Sequence, residues 1–97
     1  IVEFHNQGKP ICAICIAPAL IAKILGEKKI TVTIGNDMGT STEIAKTGAI
    51  HENCPVDDFC SDRENKIITT PAYMYSATPY QIFTGIRSAV KETLLMA

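Results

Sequence analysis

The sequence predicts an α/β fold built on a largely parallel sheet, and three observations predict it. Apolar or β-branched runs alternate along the chain with segments that carry helix-capping signals, the order expected of strands joined through helices. The run Ile11-Cys12-Ala13-Ile14-Cys15 is apolar throughout, as in a strand covered on both faces. That run passes directly into helix-forming residues. Only two or three helices are then available to cover the sheet, and a central strand at residue 11 has no neighbour on one side. Residues 1–97 therefore read as the second half of a single doubly wound domain.

Ile1 to Gln7 reads as the end of a helix, stopped at Gly8 with Pro10 beyond it. After the apolar strand, Ala17 to Leu25 forms a helix with Pro18 in its first turn, where a missing N–H costs nothing, and Gly26 ends it. Ile30-Thr31-Val32-Thr33-Ile34 is β-branched at every position and predicts a strand, closed by Gly35-Asn36. Thr40-Ser41-Thr42-Glu43 reads as a capping box, with Thr40 at the N-cap of a helix that Gly48 terminates. Ala49-Ile50-His51 predicts a short third strand. Val56 to Ser61 and Lys66 to Thr70 flank a polar turn and predict a hairpin. Thr78-Pro79-Tyr80-Gln81 is a second capping box, opening a long C-terminal helix with Ile82, Phe83, Ile86, Ala89, Val90 and Leu94 on one apolar face.

Composition narrows the functional classes. Nine Lys and Arg against ten Asp and Glu give a net charge of −1, so no basic face for nucleic acid is expected. With 46% hydrophobic and 20% charged residues, the chain is too apolar to be disordered. The longest apolar run, Ile11 to Ala22, is broken by Pro18 and falls short of the ~20 residues of a membrane helix. Ile1 to Lys9 lacks the basic, apolar and cleavage regions of a signal peptide. Cys12, Cys15, Cys54 and Cys60 lie in apolar or strand-like segments and not in a loop-rich framework, so reduced intracellular thiols are expected.

The strongest candidate for chemistry is Ala13-Ile14-Cys15-Ile16-Ala17, where a strand runs straight into a helix with a nucleophilic side chain at the turn. This is the layout of a nucleophile elbow, with Ala13 and Ala17 as the small flanking residues that let the backbone turn sharply. The helix N-terminus favours a thiolate at Cys15, and the Ile16 N–H is a candidate oxyanion donor. The alternative is a buried structural cysteine. Cys12 and Cys15 also match a C-x-x-C pair, but strand periodicity points them to opposite faces, against redox pairing or zinc binding. No metal site is expected. His51, at a strand end, is a candidate base, whereas His5 lies on the terminal helix and reads as solvated. Asp57-Asp58 reads as a solvated turn. Thr69-Thr70-Pro71-Ala72-Tyr73-Met74 ends a strand, so Thr70 and Tyr73 are expected to line the same carboxyl edge as Cys15 if the two strands are parallel. Tyr75 is a further hydroxyl in that segment, with packing as its default role.

Gly8-Lys9-Pro10, Cys15-Ile16-Ala17-Pro18-Ala19, Thr33-Ile34-Gly35-Asn36-Asp37, Cys54-Pro55-Val56-Asp57-Asp58 and Asn65 through Met74 together resemble the ElbB-like branch of the ThiJ/PfpI superfamily. The resemblance covers essentially the whole chain. It implies the class I glutamine amidotransferase-like fold, a flavodoxin-like three-layer sandwich with a mostly parallel sheet, of which residues 1–97 would be the C-terminal half. The missing N-terminal half would supply the first strands, a Gly-rich loop facing the elbow and any acidic partner of the cysteine. It further implies that Cys15 is the reactive cysteine. The superfamily includes cofactor-independent glyoxalases that convert methylglyoxal to lactate, besides proteases and chaperones, and the branch is associated by name with isoprenoid biosynthesis.

The expected function is a cysteine-dependent, glyoxalase-like enzyme acting on a small-molecule carbonyl substrate. Cys15 and His51 are its catalytic candidates, Ile16 the oxyanion donor, and Thr70 and Tyr73 line the site. Neither metal nor other cofactor is expected. The alternatives are a non-catalytic redox-sensing or regulatory protein and, more weakly, an amidotransferase-like subunit. The last is disfavoured because no histidine follows the last strand where the amidotransferase triad has one. A homodimer or higher homo-oligomer is expected by resemblance, in the cytoplasm for a bacterial source and in mitochondria for a eukaryotic one. A half domain of this size is expected not to fold stably alone.

Overall fold

The computed structural model describes residues 1–97 and shows the mixed α/β architecture. In chain order the elements are α1 (Val2–Asn6), β1 (Ile11–Ile14), α2 (Ala17–Leu25), β2 (Thr31–Val32), α3 (Met38–Ala45), β3 (Ile50–His51), β4 (Cys60–Asp62), β5 (Ile67–Thr70) and α4 (Pro79–Met96). Two strand ladders are parallel, β1 with β5 and β2 with β3, and one is antiparallel, β4 with β5. The strands form a three-stranded sheet in the order β1-β5-β4 and a two-stranded sheet of β2 and β3. Side-chain acceptors stitch the two together. The Thr31 N–H donates to the Asp62 carboxylate at 2.8 Å, and the buried Thr33 N–H donates to the Thr69 hydroxyl at 2.9 Å.

The main core lies on one face of the sheet. There Ala13 and Ile67 pack with Ile21, Ala22 and Leu25 of α2, with Ile30, Val32 and Ile34, and with Ile44 of α3. α4 packs on β5 and β1 from the other face, burying Ile82, Gly85 and Ala89. Gly85 is required by that approach. A Cβ there would stand 2.3 Å from the Val56 carbonyl oxygen and 3.1 Å from the Thr70 hydroxyl.

Several elements differ from expectation for identifiable reasons. β1 ends at Ile14, and only Ala13 is buried in it, because β1 is an edge strand with a single partner and not a strand covered all round. The run Ile30 to Ile34 forms a ladder only at Thr31–Val32. Its partner β3 is two residues long, and the Thr31 and Thr33 N–H groups turn to side chains instead. α3 is capped by Asp37 and not by Thr40. The Asp37 carboxylate accepts both the Thr40 hydroxyl and the Thr40 N–H, the latter at 2.9 Å, and these two bonds hold its pKa below the ordinary carboxylate value. An anionic acceptor at the positive end of the helix outcompetes a hydroxyl three residues later. The hairpin ladder forms only between residues 60–62 and 67–69, since the Asp58 N–H folds back onto the Pro55 carbonyl and keeps the preceding residues out of the ladder.

The Thr78–Gln81 capping box is present with both reciprocal bonds. The face of α4 is narrower than predicted: Ile82 and Ala89 are buried, but Phe83, Val90 and Leu94 are exposed. No helix is long and apolar enough to cross a membrane.

Candidate functional site

The carboxyl ends of the parallel strands β1 and β5 lie side by side, in register from Ile11 with Ile67 to Ile14 with Thr70. Immediately beyond them each chain turns through a non-glycine residue in the left-handed region, Cys15 at φ 67° and Ala72 at φ 45°. Such a conformation sets the Cβ against its own carbonyl and persists only where the surroundings over-determine it. At Cys15 the restraint is explicit. Its N–H donates to the Thr70 carbonyl at 3.0 Å, extending the β1–β5 ladder by one bond, and the next residue, Ile16, is already the N-cap of α2. A half-buried thiol is thus held at the turn between a strand and the helix that follows it. The Ile16 N–H has no acceptor within the chain and lies at the start of that helix.

The remaining cysteines are differently placed. Burial raises the Cys12 thiol pKa, with the Thr93 hydroxyl of α4 acting in the opposite sense, so Cys12 lies on the α4 side of β1. Burial also pushes Cys54 up to about 11, helped by Asp58, Asp57 and Glu52, and Cys60 up to about 12, helped chiefly by Glu52. These three are held as thiols at neutral pH and are poor nucleophiles. All four cysteines are free. No group of three or more His, Cys, Asp or Glu side chains is arranged to hold a metal ion.

Thr70 lies at the site through its backbone. Its carbonyl holds Cys15, while its fully buried hydroxyl points away and donates to the Asp58 carbonyl at 2.8 Å beneath α4. Tyr73 is exposed in the short 3-10 turn Ala72–Met74 beyond β5. His51 ends β3. Its Nε2 accepts the Ile34 N–H at 3.1 Å, so the neutral ring carries its proton on Nδ1. Burial lowers its pKa, with Glu52 acting in the opposite sense. No hydrogen bond joins His51 to Cys15. No histidine stands in the turn after β5, where Pro71, Ala72 and Tyr73 are found.

Sequence reasoning assigned no role to the device that ties this edge together. The Tyr75 hydroxyl donates to the Cys54 carbonyl at 2.6 Å, and its ring lies against Gly35. Gly35 has φ 101°, and a Cβ there would sit 2.9 Å from the tyrosine ring. The Gly35 carbonyl in turn accepts the Cys54 N–H at 3.3 Å. Tyr75 therefore joins the loops that follow β2, β3 and β5. The sequence signals were Gly35, read only as the close of a strand, and Tyr75, read as a hydroxyl whose default role is packing.

Three comparisons bear on this geometry. A human protein, glutamine amidotransferase-like class 1 domain-containing protein 3, mitochondrial, is 38% identical over 101 residues, covering 95% of this chain and 37% of the human one. The rat ES1 protein homolog, mitochondrial, is 37% identical over the same shares. The solved structure of an isoprenoid biosynthesis protein with amidotransferase-like domain from Ehrlichia chaffeensis superposes with a TM-score of 0.90 at 34% identity, covering 98% of this chain and 44% of that one.

The chain is a homologue of the class I amidotransferase-like proteins. The fold expected from that resemblance holds across the segment. No protein-family model matches the chain. This amidotransferase-like segment spans less than half the length of the relatives it matches.

Proposed function

We propose that this segment carries the reactive cysteine of an enzyme that acts on a small carbonyl compound. The observation that carries the reading is the left-handed Cys15 at the strand-to-helix turn, bonded through its N–H to the neighbouring parallel strand. Strain of this kind at a nucleophile-capable residue is characteristic of functional sites.

In this reading the Cys15 thiolate adds to the aldehyde carbon of a 2-oxoaldehyde such as methylglyoxal, forming a C–S bond and an alkoxide. The free Ile16 N–H stabilises that developing oxyanion at the helix N-terminus. A base then moves the hydrogen of the former aldehyde carbon to the adjacent carbonyl carbon, leaving a thioester of the 2-hydroxy acid. Water cleaves the thioester, releases lactate and returns the thiol. Redox balance is internal, and one water is consumed.

The base remains to be supplied. His51 enters with its Nε2 engaged by Ile34 and without a bond to Cys15, so a carboxylate from outside residues 1–97 is assigned that role and His51 the ordering of β2 against β3. Thr70 contributes its carbonyl, and Tyr73 lines the open side.

The relatives' names support a mitochondrial setting and a link to isoprenoid metabolism. The test is Cys15→Ser and Cys15→Ala in the complete protein, with methylglyoxal turnover as the readout. Loss of at least about 10³-fold is expected for both, and undiminished turnover removes the mechanism. A second reading, a non-catalytic thiol sensor, is favoured by the absence of a base bonded to Cys15. Peroxide oxidation of Cys15 without turnover of any aldehyde would select it.

A further inference from the structure

A groove runs between α4 and the β4–β5 hairpin, on the side of α4 away from β1. Its walls follow from strand alternation. Ser61 pairs with Ile68, two residues from Thr70, whose hydroxyl lies beneath α4, so Ser61 points to the α4 face of the sheet. Phe59 and Arg63, two positions to either side, project on that same face. Opposite them stand Ser88, Glu92 and Leu95, about one turn apart along α4.

Two cavities make up the groove. One, of about 400 Å³, lies between Arg63 and Lys66 of the hairpin and Glu92, Leu95 and Met96 of α4. The other, of about 200 Å³, continues beside Phe59, Ser88 and Lys91. Glu92 and Leu95 line both, so the two are one trough, about 12 Å long from Ser88 to Met96. Leu95 is 74% exposed, so one apolar wall stands open to solvent.

The charge of the groove runs against that of the chain. The chain carries −1, yet Arg63, Lys66 and Lys91 line the groove against Glu92 alone. These cations are largely uncommitted. Arg63 meets Glu92 through a single contact of 3.9 Å with 80% of its side chain exposed, which is a loose contact and not a bidentate pair. Lys66 uses one ammonium donor on the Gly8 carbonyl at 3.0 Å. Lys91 joins neither of the two ion pairs in the molecule.

We propose that this groove binds a short acidic peptide segment of a partner protein. Its carboxylates lie on Arg63, Lys66 and Lys91, and an apolar side chain of the peptide packs between Phe59 and Leu95. About four extended residues span the length of the groove. A nucleic acid would find few cations, an apolar floor and a carboxylate in their midst. A second copy docked here about a twofold axis would set the three cations against their own copies. A small molecule would remain too open to solvent beside Leu95. No residue of the Cys15 turn lines the groove, so the inference is independent of the chemistry proposed there.

The test selects displayed random heptapeptides on the complete protein and titrates fluorescein-labelled copies of the selected peptides by anisotropy. Sequences with several Asp or Glu beside a large apolar residue are expected. Arg63→Glu, Lys91→Glu and Leu95→Asp should each weaken their binding at least about tenfold. Lys46→Glu makes the same change in net charge at the end of α3 and should leave binding within about twofold. All three groove positions are exposed, and Arg63→Gln, Lys91→Gln and Leu95→Ser give the same comparison should the stronger changes disturb folding.

Selection of basic peptides, or of none, would overturn the proposal. So would acidic peptides whose binding ignores the groove substitutions or responds equally to Lys46→Glu. Displacement of the peptide by a single-stranded oligonucleotide at equal affinity, or a homodimer lost on the same substitutions, would assign the groove to another occupant and overturn it too.

Discussion

The two turns at the ends of β1 and β5 begin alike and serve different ends. Both follow adjacent parallel strands, and both pass through a non-glycine residue with positive φ. After Cys15 the chain enters α2 at once, so the strained residue keeps a half-exposed thiol at the rim. After Ala72 it runs through a 3-10 turn and an extended stretch before Thr78 caps α4, and the strained residue is fully buried. The first turn presents a half-buried thiol. The second anchors a wall through Tyr75. Backbone strain alone does not distinguish the two turns; partial exposure and a nucleophilic atom are found at Cys15 only.

The comparison breaks most visibly at the anchor. Tyr75→Phe keeps the ring over Gly35 but leaves the Cys54 carbonyl without its donor. Stability of the folded protein should fall by about 1–2 kcal/mol in urea unfolding. The alkylation rate of Cys15 should stay within about twofold if the two turns are independent. A larger change would show that the anchor also shapes the thiol.

Glycine substitution sharpens the contrast with a smaller effect. Cys15→Gly relieves the left-handed penalty of about 1 kcal/mol and removes only a half-buried side chain, so a modest gain in stability is expected. Ala72→Gly relieves a similar penalty but deletes a fully buried methyl worth about 0.8 kcal/mol, so little net change is expected. Equal responses in urea midpoint would erase the distinction drawn between the two.

The smallest effect concerns His51. Burial lowers its pKa in the folded state, so the unfolded chain binds a proton more readily. Its contribution to stability is present above the ordinary value of 6.5 and is lost as pH falls through the lower folded-state value. Protonation also removes the acceptor for the Ile34 N–H. Wild type should lose stability between about pH 7 and 5 more steeply than His51→Gln, with Glu52 moderating the slope. Parallel curves would show that the ring is not coupled to folding.

Much of this site was legible in the residues because it is local. The small Ala13 and Ala17 about Cys15, the proline in the first turn of α2 and the Thr78–Gln81 box each specify a turn or a helix start within a few positions. The misplaced cap of α3 was a contest between two nearby acceptors, which Asp37 wins by charge. The Thr70 side chain was harder. Its strand position is local, but which face of the sheet meets α4 is not, and the hydroxyl went under the helix while the carbonyl served Cys15. The exposed flank of α4 was included in its apolar face because helical periodicity reports an apolar stripe without saying whether anything covers it.

By itself the sequence determined the order of elements, their approximate ends and the strand-to-helix junction that carries Cys15, since spacing, capping and turn chemistry act over a few residues. The tertiary structure decided that β1 is an edge strand, that Tyr75 joins three loops and that His51 is engaged by Ile34. Each depends on groups from 17 to more than 50 residues apart. Pairing at that range is set by which surfaces can be buried together, and no local pattern specifies it.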